Sequence, residues 1–396
     1  MRRVAILGAA ASPNGKLQRA ADAPLQVLEQ EILAPLVIEA MAAAGLPKEE
    51  VDALIVAMCR PYTLQKYFAT FMANYLRLPL KGTALEVLGN GMTGGMAFDL
   101  AVNTIAVGQA DVALALGINM ESGAASADHA MSSMRATGDV DFHTIFGFTP
   151  IAWYAMDAVR YMHEFGATRE ELASVAVKNR RHACLNPIAQ FRKPLSLNEV
   201  LAARPIVEPL GLYDVPPRGD GAVCLVVCAE ELAKTAGTPY ALVRGRGFFH
   251  EGAHQISEVP NDMTAFVAAQ RAAAAAYGAA RIGPHDLDLA ELYAPCSIVE
   301  VLAGEALGLT ARGQGAAQAA AGETSLGGRI PICTSGGCLS RGHPAYVTGL
   351  LTIYELWEQL TRRAGERQVG GARLAAASCE LGNYNAALIH ILEAVA

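Results

Sequence analysis

Apolar residues in this chain gather in short runs separated by alanine-rich stretches with helical spacing. The runs at 4–10, 52–58, 111–120 and 222–230 in the first half, and at 241–249, 287–294, 373–381 and 386–395 in the second, are apolar on both faces. That pattern predicts strands covered on both sides. Between them, residues 31–45, 94–108, 264–280, 297–308 and 347–361 carry the composition and periodicity of helices. Strands that alternate with helices in this way imply an α/β fold.

The order of these elements repeats. "DALIVAMCRP" corresponds in position to "DLAELYAPCS", "NGMTGGMAF" to "SGGCLSRGHPAYVTGL", and "DVALALGINM" to "RLAAASCELG". Each half therefore offers a strand, a glycine-rich turn entering a helix, and another strand. Two similar domains packed about a shared interface are expected. The N-terminal half comprises residues 1–120 with 205–235, the C-terminal half residues 236–396, and 121–204 form an inserted lid over the substrate.

Composition narrows the class. With 396 residues, of which 52% are hydrophobic, the chain can bury a large core, and its charge of −7 forms no block that would recruit nucleic acid. No run reaches the roughly 20 apolar residues of a membrane span. The opening "MRRVAILGAAASPNG" reads as a buried first strand better than as a signal peptide, so a cytoplasmic location is expected. The eight cysteines are scattered, with no disulfide framework and no metal-ligand spacing. Cys224 and Cys228 fall on one face of a strand and are expected to pack.

The chemistry concentrates at "EVLGNGMTGGMAF", residues 86–98. Clustered glycines where a strand turns into a helix let backbone N–H groups face a ligand, and the helix N-terminus favours negative charge. Such a turn suits an anion or a reactive side chain, yet its only polar side chains are Asn90 and Thr93.

Five segments extend this picture: "VAVKNRRHACLNPIAQFR" (175–192), "PLGLYDVPPRGDGA" (209–222), "AELYAPCS" (290–297), "SGGCLSRGHP" (335–344) and "SCELG" (378–382). On these residues the chain resembles the thiolase superfamily, of the sterol-carrier-protein type, nearly end to end. The resemblance implies a five-layer αβαβα fold, a homodimer, and action on acyl-CoA thioesters with no metal and no resident cofactor.

In a thiolase the turn matching "NGMTGG" carries the nucleophilic cysteine, its pKa lowered by the helix N-terminus. Here Gly91 stands at that place, or Met92 if the register slips by one, and neither can form an acyl-enzyme. His343 matches the histidine of the family's Gly-His-Pro motif, and Cys379 falls at the place of the proton-shuttling cysteine. The glycines that normally follow that cysteine give way to "LGNYN", which leaves Gly382 as the backbone donor beside the thioester. Tyr293 replaces an Asn or His that orients water, and Tyr346 adds a second phenol.

Thiolysis needs a covalent carrier, whereas retro-aldol cleavage of a 3-hydroxyacyl-CoA needs only a base and donors for an enolate. Tyr293 is thus the leading acid/base candidate, with His343, Tyr346 and Cys379 beside it and Gly91, Met92 and Gly382 holding the thioester. The pattern resembles the superfamily's steroid side-chain aldolases, which work with a small OB-fold partner of a zinc-ribbon family; the resemblance implies a similar partner here. Two other functions fit the same residues: an acyltransferase using a relocated cysteine (Cys379, Cys338 or Cys296), or a non-catalytic acyl-CoA-binding subunit. The basic residues Lys178, Arg181 and Arg192 either meet the phosphates of CoA or form a solvated face. His250 and His254, in the loop at 248–257, either edge the acyl-CoA entrance or, as lone loop histidines more often do, sit at the surface, and no role is assigned to them.

Overall fold

The structure is a computed structural model and describes residues 1–17, 27–58, 65–122, 141, 144–251, 262–382 and 384–395. Its strands are β1 (Val4–Ala11), β2 (Ala53–Ala57), β3 (Ala84–Val87), β4 (Val112–Asn119), β5 (Pro205–Val207), β6 (Leu210–Gly211), β7 (Gly221–Ala229), β8 (Tyr240–His250), β9 (Leu289–Glu291), β10 (Leu374–Glu380) and β11 (Ala386–Val395). Nine of them form one hydrogen-bonded sheet in the order β3-β2-β4-β7-β1-β8-β11-β10-β9, while β5 and β6 pair separately.

This order is the same from either edge toward the β1–β8 seam. On one side β2 runs parallel to β4, and β7 runs antiparallel to β4 and β1. On the other β9 runs parallel to β10, and β11 runs antiparallel to β10 and β8. A bridge from Ala290 to Ile332 stands where β3 stands beyond β2. The seam itself is short, with Ala5 opposite Leu242 and Ile6 opposite Ala241.

The helices make the layers. Thr93–Ala106 and Thr348–Leu360 pack on each other between the two halves of the sheet, and their apolar residues join those of β2, β4, β7 and β10 in one core. Glu29–Ala44 covers the outer face of the first half, Val267–Ala280 that of the second. The result is the expected five-layer αβαβα arrangement. Two glycines allow the outer helices to seat so closely. A Cβ on Gly8 of β1 would lie 2.2 Å from the Ala40 carbonyl oxygen, and one on Gly247 of β8 would lie 1.9 Å from that of Ala272. The same device thus serves the equivalent strand of each half. Cys224 and Cys228 are buried in β7, as their spacing predicts.

Two further helices, Pro150–Phe165 and Arg169–Cys184, bury much of their surface in the core of the second half. Proline opens the first helix, and a Thr168–Glu171 capping box opens the second. Among the described residues, no helix is long and apolar enough to cross a membrane.

Candidate active site

The parallel strands β9 and β10 end beside the glycine-rich turn, so the loops after them and the N-terminus of a central helix converge. Ligands in α/β sheets bind at such carboxyl ends of strands. The segment Asn90–Met92 is a single turn of 3-10 helix that runs into Thr93–Ala106. Asn90 takes a positive φ of 48°, and Thr93 braces the turn: its hydroxyl accepts from the Gly89 amide at 2.9 Å and donates to the Asn90 carbonyl at 2.6 Å. Tyr293 follows β9, with its amide 3.2 Å from the Ser378 carbonyl. His343 and Tyr346 follow the buried turn at Gly337–Arg341.

These pieces enclose a cavity of about 410 Å³, lined by Asn90, Gly91, Tyr293, His343, Tyr346 and Gly382 among others. Helix Pro150–Phe165 adds Pro150, Ile151 and Tyr154, and the segment 215–218 adds Val215, two prolines and Arg218. Most of the wall is apolar.

The absence of a side chain at 91 has a steric reason. A Cβ there would meet both the Tyr293 hydroxyl and the Glu380 carbonyl oxygen at 2.7 Å. The phenol occupies the space that a nucleophile on this turn would need. Met92 points away from the cavity into a small apolar cluster with Tyr293, Cys379, Ala386 and Leu388, so Gly91 is the residue of the turn that faces the ligand.

Tyr293 is 3% exposed, and its ring packs edge-on against that of His343 with centroids 5.3 Å apart. Among the described residues its hydroxyl has no hydrogen-bond partner, so it stands ready for a ligand. Burial, and secondly the Glu380 carboxylate, push its pKa well above the ordinary tyrosine value. The phenol therefore stays protonated, a donor rather than a phenolate base. His343 is turned the other way: burial, with Arg341 and Arg218 adding, lowers it to about 3 and keeps the ring neutral. Its Nδ1 lies 3.0 Å from the Thr348 hydroxyl, which fixes the ring's orientation.

The expected backbone donors are engaged within the protein. The Gly91 amide donates to the Leu381 carbonyl at 3.3 Å, that of Met92 to the Gly89 carbonyl at 2.9 Å, and that of Gly382 to Glu380 Oε2 at 2.5 Å.

Cys379 lies behind the turn and outside the cavity lining. Gly95 and Gly349 of the two central helices close over it, since a Cβ on either would come within 2.8 Å of its side chain. Its thiol donates to the Gly91 carbonyl at 3.4 Å, and burial pushes it up to about 12. Cys338 is likewise pushed up to about 12, and Cys296, which does line the cavity, well above the ordinary thiol range. An attacking cysteine needs thiolate, and these environments oppose it.

One assignment is corrected outright. Lys178 cannot meet a CoA phosphate, because its ammonium is buried against Glu300 Oε1 at 2.5 Å and the Ile332 carbonyl at 2.7 Å. It lies on the inner face of its helix, where a buried carboxylate partner satisfies the charge. Arg181 and Arg192 are exposed, outside the cavity. His250 ends β8 and does not line the cavity, while His254 and Cys59 lie outside the described residues.

Sequence reasoning missed Tyr154 and the Arg218–Glu121 pair (3.1 Å), which line the cavity, and Glu380, which lies behind Tyr154. Arg218 stands in the singled-out segment 209–222, a signal that was available. Tyr154 had none, being one aromatic among several on its helix.

The family described as "Thiolase, N-terminal domain" matches residues 4–203, and "Thiolase C-terminal domain-like" matches residues 250–394. The chain is 30% identical to an acetyl-CoA acetyltransferase of Methanothermobacter thermautotrophicus, with 99% of each chain covered. It is 36% identical to benzoylsuccinyl-CoA thiolase subunit BbsB of Thauera aromatica over 70% of each. Sterol carrier protein 2 of Oryctolagus cuniculus is 31% identical over 85% of this chain and 63% of that protein. Among solved structures, the Ltp2-ChsH2(DUF35) aldolase superposes with a TM-score of 0.82 at 27% identity, covering 99% of this chain and 98% of that one. Human mitochondrial 3-ketoacyl-CoA thiolase gives 0.75 at 15% identity, covering 100% and 99%, a likeness of fold.

Proposed function

Because the chain belongs to the thiolase superfamily, with relatives of the sterol-carrier-protein type, we propose that it is an acyl-CoA lyase that breaks a carbon–carbon bond without an acyl-enzyme. The substrate is a branched 3-hydroxyacyl-CoA, and the products are a ketone or aldehyde and a shortened acyl-CoA. The observation that carries this reading is the occupation of the nucleophile's space by the Tyr293 phenol, which faces the same cavity as a neutral His343. The likeness to an aldolase of 27% identity supports the lyase over the acyltransferase.

As the Cα–Cβ bond breaks, its electron pair passes into the thioester and an enolate oxygen develops. Tyr293 donates its O–H to that oxygen. The Thr348 hydroxyl donates to the Pro344 carbonyl at 3.0 Å, so we assign the imidazole proton of His343 to Nδ1, which donates to Thr348 Oγ1 at 3.0 Å and leaves Nε2 unprotonated. Preorganised donors at a developing oxyanion stabilise the transition state more than the ground state. The hydroxyl proton of the substrate returns to Cα of the acyl product, so neither free CoA nor a redox partner is consumed. The apolar wall and the volume of about 410 Å³ suit a bulky acyl group, of which a steroid side-chain ester is one. Thr149, Pro150, Ile151 and Tyr154 line the cavity from the proposed lid, and Arg181 and Arg192 are the basic residues of the expected set left to meet the CoA phosphates.

Two associations belong to this proposal. The edge strand β3 leaves Leu85 and, just past its end, Leu88 exposed, which suits pairing with a second copy. The name of the aldolase relative joins it to a DUF35 partner, which supports a small OB-fold subunit here as well.

Incubation of the chain, co-expressed with such a partner, with branched 3-hydroxyacyl-CoAs and no free CoA tests the reaction by mass spectrometry. The expected result is a carbonyl product and a shortened acyl-CoA. Consumption of a 3-ketoacyl-CoA only after CoA is added would replace the lyase by a thiolase. The neutral state of His343 has its own readout: since the ring is held at about 3, kcat/KM shows no histidine limb near pH 6.5. An acid limb centred there in the wild type and lost in His343→Gln would overturn it.

A further inference from the structure

The proposed cleavage needs a group to take the substrate's hydroxyl proton while Tyr293 donates to the enolate oxygen and burial keeps the His343 ring poorly basic. Burial and Glu380 hold the Tyr154 phenol above the ordinary tyrosine range as well, so a phenol here can take a proton only as it passes its own to another group. We propose that Tyr154 is a further catalytic residue and that it passes this proton to Glu380 behind it. The inference rests on the lyase reading.

Tyr154 is 3% exposed and lines the cavity with Tyr293 and His343. Its hydroxyl donates to the Gly382 carbonyl at 3.0 Å and lies 3.4 Å from Glu380 Oε1. The second distance is long for a hydrogen bond at rest, and a small rotation of the phenol O–H exchanges one acceptor for the other. Glu380 is 1% exposed, the last residue of β10, and its second oxygen is held by the Gly382 amide at 2.5 Å. The carboxylate is thus fixed in place, with Oε1 directed at the phenol that separates it from the cavity.

The step balances. The substrate hydroxyl gives its proton to Tyr154 Oη while Tyr154 gives its own to Glu380 Oε1. The Cα–Cβ pair moves into the enolate held by Tyr293, and the carbonyl product forms. The proton then returns from Glu380 through Tyr154 to Cα, which regenerates both groups. Glu121, a carboxylate in the cavity lining, accepts from Arg218 Nε at 3.1 Å and is committed to that ion pair.

Tyr154→Phe, Glu380→Gln and their double variant decide the matter, in the complex and with a substrate that the wild type cleaves. Each single change is expected to lower kcat by about 10²-fold or more with KM little altered, general acid–base catalysis being worth about 10²- to 10⁴-fold. The double variant should be no slower than the worse single one, because the two act in one relay. Melting temperatures within a few degrees of wild type separate lost chemistry from lost folding. If wild type cleaves and Tyr154→Phe turns over normally, the relay is wrong while the lyase stands. Additive losses in the double variant, or a loss confined to Glu121→Gln, would also overturn it. If wild type itself fails to cleave, the lyase reading falls first.

Discussion

Tyr293→Phe is expected to fold normally and to lose about 10²- to 10³-fold in kcat, the effect of deleting one donor at an oxyanion, or about 2.7–4 kcal/mol of transition-state stabilisation. The phenyl ring keeps its packing against His343 and fills the same space beside Gly91, so only the O–H is removed. KM should change little, since the bond strengthens as charge develops on the oxygen. Cys379→Ser is the control. That thiol is pushed up to about 12, donates to the Gly91 carbonyl and lies outside the cavity lining, so its loss should cost a few-fold at most. Steady-state kinetics on the complex would measure both, and equal, small effects would remove Tyr293 from the reaction.

The second large effect is expected from a single added carbon. Gly91→Ala places a methyl group 2.7 Å from the Tyr293 hydroxyl and 2.7 Å from the Glu380 carbonyl oxygen. The backbone oxygen cannot yield without disturbing β10, so the phenol is displaced and cleavage is lost. Overpacking of this kind costs about 1–3 kcal/mol of stability. For the same reason, Gly91→Cys is not expected to restore a thiolase: the sulfur would compete with the phenol for one space. The coupling is testable by urea unfolding. The cost of Gly91→Ala should shrink when Tyr293 is first changed to Ala, which vacates the colliding atoms. Wild-type turnover and stability in Gly91→Ala would show that the collision does not constrain the site.

Both expectations trace to features that the chain announces unequally. The missing nucleophile is legible at once, because a glycine-rich turn entering a helix has a recognisable composition and Gly91 has no side chain. The occupant of the vacated space is not legible. Tyr293 lies 202 positions away and reaches Gly91 only because β9 ends where the helix Thr93–Ala106 begins. Lys178 illustrates the converse. In sequence it heads a basic cluster that invites a phosphate, while in the fold Glu300, 122 positions on, takes its charge. The amides at Gly91 and Gly382 also looked like donors for a ligand, but tight turns satisfy their own polar groups first.

By itself the sequence determined the alternation of strands and helices, the duplication of a strand–turn–helix unit, and the loss of a nucleophile at the turn. All three are local: period and composition report which faces are buried and which backbone turns are allowed, within a window of a few residues. The tertiary structure alone decided what stands against what. It put the Tyr293 phenol over Gly91, drew Tyr154 and Glu380 together under the cavity, and withdrew Lys178 from solvent. Those contacts join residues 100 to 230 positions apart, and periodicity carries no information about which distant element will cover a buried face. Protonation follows the same division, since a side chain's type sets only its reference pKa, and burial beside particular charges decides where the proton sits.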